Sequence, residues 1–287
     1  KILNIMLKKS KGSKIICGQP HLNLAIIFIN IILLNKHKIY VTEHNPSFKV
    51  KGFKNIIIEF LKIYFYKFSE SIICVSEPIA DQLRSFKIIQ NKDINVVYNP
   101  VNIKKFQAKK ITKRSNNNIN MIFVGRLCHQ KNLELLLNSL TILKAKKFQF
   151  RVNIVGDGEK MHILRNLRKS LSLENEVKFL YDRKNINILL NNSDIFVLPS
   201  KYEGFCIAMV EAMLCGLQIV STNTEGPKEI LQHSEYGFLT KFDPYSFCQG
   251  MIDAIERPKR KSNIIKRAQY LVNPEKVWDK YQRILKL

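Results

Sequence analysis

Two glutamates, Glu203 and Glu211, stand in the stretch EGFCIAMVEAMLCG with seven residues between them. The periodicity predicts a helix that starts just after Glu203 and ends at Gly216, a residue suited to a helix C-cap. On that helix Glu211 has Ile207 and Ala208 one turn before it and Leu214 and Cys215 one turn after it, so a carboxylate occupies an apolar face. An unpaired buried charge costs on the order of several kcal/mol, so Glu211 needs donors, either a neighbouring lysine or the hydroxyls of a ligand. The helix begins where an apolar strand ending in Pro199 and Ser200 has just closed. Its first amides, from Gly204 through Phe205, Cys206 and Ile207, therefore point where open α/β sheets bind anions. Gly204 lets a ligand approach the backbone closely.

A second constellation is FVGRLCHQK, in which Gly125 closes a strand and Arg126 and Lys131 follow five residues apart. Both cations can converge on one anion, and a pyrophosphate is the natural guest. Taken alone, the same spacing also suits a solvated basic turn. His44, in TEHNP, follows another strand and is either a solvated loop histidine or one presented to a substrate. GDGEK at 156–160 is neither a Walker loop nor a complete G-x-G-x-x-G and reads as a β-to-α turn. No D-x-D occurs, and the six histidines show no ligand spacing, so the expectation is no metal and no cofactor.

In order and spacing, GRL-x3-K, PSKYEGF, VEAM, CGL, IVST and EGPKEIL resemble the retaining GT-B glycosyltransferases of family four, the glycosyl transferases group 1. VSEPIADQL and VVYNPVN extend the resemblance over nearly the whole chain. It implies an α/β fold of two doubly wound Rossmann-like domains facing a cleft. It implies that Arg126 and Lys131 stabilise a departing diphosphate, with Gly125 beside them, that Glu203 and the amides of Gly204, Phe205, Cys206 and Ile207 meet the sugar and phosphates, and that Glu211 holds the ribose. His44 is similar in place to a histidine that family members turn towards sugar and acceptor. The expected reaction moves a sugar from a nucleotide-diphosphate donor, a UDP-sugar, to a hydroxyl of a surface glycan or lipid-linked saccharide with retention of configuration, as in polysaccharide biosynthesis. Three positions depart from the family: Cys206 and Asn132 stand where glycine is usual, and Gln218 where proline is. The resemblance also implies a larger first domain, so this one is expected to be incomplete, without the opening β-α-β portion and its Gly-rich loop. A shortened relative that only binds nucleotide is the alternative.

The elements that must position these residues follow from patterning. A chain of 287 residues suits about two domains, at a prior of about 150 residues each. Short Ile- and Val-rich runs alternate with stretches of helical period, the pattern of parallel strands and crossover helices. Strands are expected at 14–17, 38–42, 71–75 and 94–98, then at 121–125, 150–156, 177–180, 194–200 and 218–222. The alternation lapses in KKFQAKKITKRSNNNIN, which sets a first domain at 1–105, a linker at 106–119 and a nucleotide-sugar-binding domain at 120–287, whose last helix, about 275–287, can pack back on the first domain.

Composition bounds the rest. A hydrophobic content of 46% excludes intrinsic disorder despite a net charge of +24. The first 118 residues carry +15 (21 Lys/Arg less 6 Asp/Glu) and the remainder +9 (26 less 17). Such a surplus suits nucleic acid, an anionic bilayer face or phosphorylated small molecules. A basic nucleic-acid-binding protein is thus the rival of another class, but no zinc-finger or RRM signature supports it and no nucleic acid partner is expected. Six cysteines without a C-x-x-C pair suit a reduced, cytoplasmic protein. The longest apolar run, 24–34, is too short to span a bilayer. FKNIIIEFLKIYFYKF offers Lys, Phe and Tyr on one helix, which is compatible with peripheral attachment to the cytoplasmic membrane face or with an ordinary core helix.

Overall fold

The computed structural model describes residues 2–47, 53–108, 118–181 and 185–287, so 109–117 of the stretch read as a linker lie outside the described residues. The chain divides into two units, residues 1–99 with 274–287 and residues 100–273.

In the first unit the elements run α1 (Ile2–Leu7), β1 (Lys14–Cys17), α2 (Pro20–Ile32), β2 (Lys38–Glu43), α3 (Phe53–Tyr66), β3 (Ser71–Cys74), α4 (Glu77–Arg84) and β4 (Asp93–Val96). The four strands are parallel in the order β1-β2-β3-β4, each added to the same edge, so the winding does not reverse among them. β3 is buried throughout its SIIC sequence, as a strand covered on both faces must be. The last helix of the chain, which belongs to this unit, contributes Val277, packed against Ile73 and Val97. The register that sets Glu43 beside Cys74 brings the carboxyl ends of β2 and β3 level.

The second unit contains β5 (Ile119–Val124), α5 (Leu133–Ala145), β6 (Phe150–Val155), α6 (Met161–Ser170), β7 (Val177–Leu180), α7 (Ile186–Asn191), β8 (Ile195–Leu198), α8 (Ile207–Leu214), β9 (Gln218–Thr222), α9 (Glu225–Ile230), β10 (Phe238–Thr240), α10 (Pro244–Glu256) and α11 (Lys261–Leu271), with α12 (Pro274–Leu285) returning to the first unit. Its parallel sheet has the order β10-β9-β8-β5-β6-β7. The direction of winding reverses between β5 and β8, and the crevice outside their carboxyl ends is where a doubly wound sheet binds ligands. Residues 100–108 pack on this unit ahead of β5. Val101 and Phe106 are buried, and the Phe106 carbonyl accepts from Cys215 Sγ at 3.4 Å.

Most observed elements fall within one or two residues of the expected ones, and β1, β7 and β9 coincide with them. The three-residue β10 was not expected, because FLT is too short to show alternation. α1 was not expected either.

Candidate active site

The loop after β5 and the loop after β8 meet at the switch point and are stitched together. Lys201 N donates to the Gln130 carbonyl at 2.8 Å, and Gln130 Nε2 donates to the Tyr202 carbonyl at 2.9 Å. These bonds hold Arg126 and Lys131 on one side in fixed relation to Glu203 on the other. Gln130 had no signal in the sequence, since a lone glutamine in a loop carries no period.

Glycines set how closely the backbones stack. A Cβ on Gly158 would lie 2.4 Å from the Leu127 carbonyl oxygen, and one on Gly156, whose φ is +146°, would lie 1.9 Å from that of Gly125. The GDG turn is therefore pressed against the Gly125–Arg126–Leu127 segment and forms a wall of the site. On the far side, a Cβ on Gly226 would lie 2.4 Å from the Gly204 carbonyl oxygen, so the start of α9 backs the loop that carries Glu203 and Gly204.

Between these walls lies a cavity of about 620 Å³, lined by Val124, Gly125, Arg126, Val155, Asp157, Gly158, Ile186, Ile207, Ala208 and Glu211. Its size suits a nucleotide-sized ligand. Arg126 is exposed and reaches Glu159 Oε2 at 3.5 Å, so its guanidinium is held only loosely. Ile207 and Ala208 open α8, and the N–H groups of a first helical turn lack intrahelical acceptors. Burial pushes the Glu211 carboxyl up to about 7, with Lys105 pulling weakly the other way. Among the described residues Glu211 forms no ion pair within 4.0 Å, and Lys105 is the cation that acts on it from a distance.

Beside the cavity Lys131 Nζ donates to Glu203 Oε1 at 2.6 Å, with both side chains largely buried. Burial works to lower the Lys131 ammonium, but the Glu203 carboxylate 2.6 Å away outweighs it and holds the pKa above that of an ordinary lysine. Lys131 is a charged donor throughout the physiological range. A Cβ on Gly125 would lie 3.5 Å from Lys131 Cε, so the lysine stem runs beneath the Gly125 backbone. Phe205 and Cys206 are buried at the entry to α8, and burial raises the Cys206 thiol to about 12. Cys206 is thus a neutral packing group.

The departures from the family pattern have local explanations. Asn132 adopts φ 50°, ψ 43°, the left-handed conformation that glycine takes most readily and asparagine next. Cys206 has φ −83°, so its Cβ adds no backbone strain. Gln218 exchanges two hydrogen bonds with the Lys259 backbone, at 2.9 and 2.8 Å.

His44 belongs to the first unit, directly after β2, with Nε2 3.0 Å from Thr42 Oγ1. Among the described residues no three His, Cys, Asp or Glu side chains are grouped as metal ligands, and no helix is long and apolar enough to cross a membrane.

Comparison with known proteins places this geometry. Residues 104–270 match the family glycosyl transferases group 1, and residues 15–105 match glycosyltransferase family 4. An uncharacterized glycosyltransferase of Methanocaldococcus jannaschii is 32% identical over 278 residues, covering 86% of this chain and 67% of the relative. The Escherichia coli UDP-Gal:alpha-D-GlcNAc-diphosphoundecaprenol alpha-1,3-galactosyltransferase is 28% identical, covering 74% of this chain and 58% of that one. The Anabaena protein HepE, solved in complex with UDP and glucose, superposes with a TM-score of 0.83 at 20% identity over 99% of this chain and 80% of its own. The chain spans about 59 to 67% of the length of the first three curated relatives it matches. With its two parallel-sheet α/β units and solved neighbours that are GT-B glycosyltransferases, the chain belongs to the glycosyl transferases group 1 family.

Proposed function

We propose that the chain transfers a sugar from a UDP-linked donor to a hydroxyl of a surface glycan or lipid-linked saccharide, with retention at the anomeric carbon. The observation that carries the reading is the cavity at the β5–β8 switch point. There a carboxylate with an elevated pKa, the opening residues of α8 and an exposed arginine line one space, next to a buried Lys–Glu pair. Glu211 accepts from the ribose hydroxyls, which supply the donors its apolar setting lacks. Arg126, Lys131 and the amides from Gly204 to Ile207 take the diphosphate, and Glu203 takes the sugar.

In the reaction the acceptor oxygen forms a bond to the anomeric carbon while the bond from that carbon to the β-phosphate oxygen breaks. UDP departs with the electron pair. The acceptor proton passes to the leaving phosphate, whose growing charge Arg126 and Lys131 stabilise. His44 is assigned to the sugar and acceptor. The donor assignment is supported by the names of relatives and neighbours that use or bind UDP and UDP-sugar, and the acceptor class by the diphosphoundecaprenol substrate of the E. coli relative.

The first unit is assigned a peripheral contact with an anionic membrane surface. Supporting this are Phe28 and Ile32 on α2 and Phe60, Leu61 and Tyr64 on α3, all exposed, with Lys67 lying over the Tyr64 ring at 3.7 Å. Lys62 is not part of that exposed face, because it is buried.

Calorimetry with UDP, GDP, ADP and a single-stranded oligonucleotide tests the nucleotide reading. UDP should bind most tightly, and a preference for the oligonucleotide would overturn it. Anomeric proton couplings of the product made from a UDP-hexose test retention.

A further inference from the structure

The carboxyl end of β2 carries a buried ionic cluster that the reaction as described does not use. Glu43 and Lys62 are each about 1% exposed, and Tyr66 and Asn23 are fully buried. Lys62 Nζ lies 3.1 Å from Glu43 Oε2, 2.6 Å from Glu59 Oε2 and 3.2 Å from Ser47 Oγ. The Tyr66 hydroxyl donates to Glu43 Oε1 and accepts from Asn23 Nδ2 at 2.8 Å, and the same amide donates to the Thr42 carbonyl at 3.2 Å. From α4, Gln82 grips Ser47 twice: its Oε1 accepts from Ser47 N at 2.8 Å, and its Nε2 donates to the Ser47 carbonyl at 3.1 Å.

A buried ion pair is a poor source of stability, since well-packed apolar residues of the same volume serve as well or better. What this one provides is geometry. A single ammonium holds Glu43 and Ser47, the two ends of the arch His44–Asn45–Pro46, and α2, α3 and α4 each contribute a side chain to the hold. On that arch His44 is the residue whose side chain can exchange a proton with a substrate near neutral pH, whereas Asn45 can only hydrogen-bond and Pro46 has no polar side chain. It is further confined by Gly18, where a Cβ would lie 2.9 Å from Thr42 Oγ1 and 3.5 Å from His44 Nε2.

We propose that Lys62, acting with Glu43 and Gln82, is a positioning residue: a buried clamp that holds the 43–47 arch in one conformation and thereby sets the place of His44. The proposal rests on the reading of His44 as a sugar- or acceptor-facing group. The clamp itself can be tested without that reading.

Three variants of the full chain are compared with the parent: the neutral, near-isosteric pair Lys62→Met with Glu43→Gln, the single Gln82→Ala, and His44→Ala. Amide hydrogen exchange and the imidazole resonances of His44 report on the arch. UDP affinity reports on the second unit, and sugar transfer on the reaction. In the paired variant the amides of His44, Asn45 and Ser47 should exchange about tenfold faster or more, as local opening becomes easier, while the strands of both units keep their protection. UDP affinity should not change. Transfer should fall about tenfold or more through misplacement of a single group, and adding His44→Ala should then cost little further.

Unchanged exchange at 44–47 would overturn the clamp. A full additional loss from His44→Ala in the paired background would show that Lys62 does not act through His44. If His44→Ala alone leaves transfer intact, the role of His44 fails while the exchange result still decides the clamp. Should the paired variant not fold, Gln82→Ala applies the same tests from α4, where only the grip on Ser47 is lost.

Discussion

Lys131 Nζ and Glu203 Oε1 lie 2.6 Å apart, each from a different loop of the β5–β8 switch point and each largely buried. The pair joins the cation proposed for the departing diphosphate to the carboxylate proposed for the sugar hydroxyls, and each neutralises the other. Removing one partner therefore has unequal consequences. Glu203→Gln frees the ammonium and removes a negative charge from beside the phosphate site, so UDP should bind as tightly as to the parent or more tightly. Transfer should still fall by about a hundredfold, as interactions made with the reacting sugar are lost. Titration calorimetry and initial rates separate the two effects, and weaker UDP binding in Glu203→Gln would contradict the assignment.

Lys131→Met should cost UDP affinity about 1.5 to 3 kcal/mol, the worth of a charge-assisted hydrogen bond, and should also lower stability because Glu203 is left buried without its partner. Arg126→Ala should lose affinity without loss of stability, since the Arg126 guanidinium is exposed. Equal melting temperatures for both variants would argue against the burial asymmetry.

Glu211 gives a pH-dependent prediction whose sign follows from its pKa, raised from 4.5 to about 7 by burial. A carboxyl whose folded pKa lies above its unfolded value binds its proton more tightly when folded. Its contribution to stability is complete below about 4.5 and is lost as pH rises through about 7. Glu211→Gln has no proton to lose. The variant should match the parent at the acid end of that window and become more stable than it above about neutral pH. A difference of about 1 to 2 kcal/mol is expected, because solvent reaches a half-buried group. Bound UDP should reverse the difference, since the ionised carboxylate then meets ribose hydroxyls. Denaturation curves at several pH values, with and without UDP, read both effects, and a gap that does not change with pH would show that Glu211 titrates normally.

The fold was legible because hydrophobic runs and helical periods survive in single elements: SIIC, VKFL and QIVST announce their strands with no help from the rest of the chain. Of the site, the residues with unusual chemistry for their position were legible, above all Glu211 on an apolar helix face. Residues that act by reaching across the fold were not. Gln130, Asn23 and Gln82 are ordinary polar residues by type and spacing, and only the register of the loops and strands they bridge shows what they hold. Pattern leaves FKNIIIEFLKIYFYKF open between a membrane-facing and a core helix, because spacing cannot tell a solvated lysine from one paired with two carboxylates, as Lys62 is.

Asn132 tests a subtler point of legibility. It looked like a departure from a glycine position, yet its φ of 50° shows that the backbone requirement is unchanged. Asn132→Gly should be neutral or slightly stabilising. Asn132→Ala should cost about 1 kcal/mol, because a Cβ without a local hydrogen-bonding group meets the left-handed penalty in full. Equal stability of the two variants would mean that the conformation is not retained.

The apolar residues of α2 and α3 allow the membrane assignment to be separated into its two forces. Phe60 and Ile32 are 62% and 60% exposed, while Lys67 lies over the Tyr64 ring at 3.7 Å, so charge and apolar surface occur together on the first unit. Electrostatic attraction to anionic lipid is screened by salt within about a Debye length of 10 Å, whereas burial of apolar side chains in the interface is not. Vesicles with a high fraction of anionic lipid should therefore bind the chain strongly at low salt and retain a weaker, salt-resistant component. Replacing Phe60 and Ile32 together by serine should remove that component and leave the salt-sensitive part in place. UDP affinity should be untouched, because the assigned nucleotide groups all lie in the second unit. Vesicle binding equal to that of the parent would show that this face meets something other than lipid, and binding indifferent to both salt and lipid charge would remove the membrane from the account of the +24 charge.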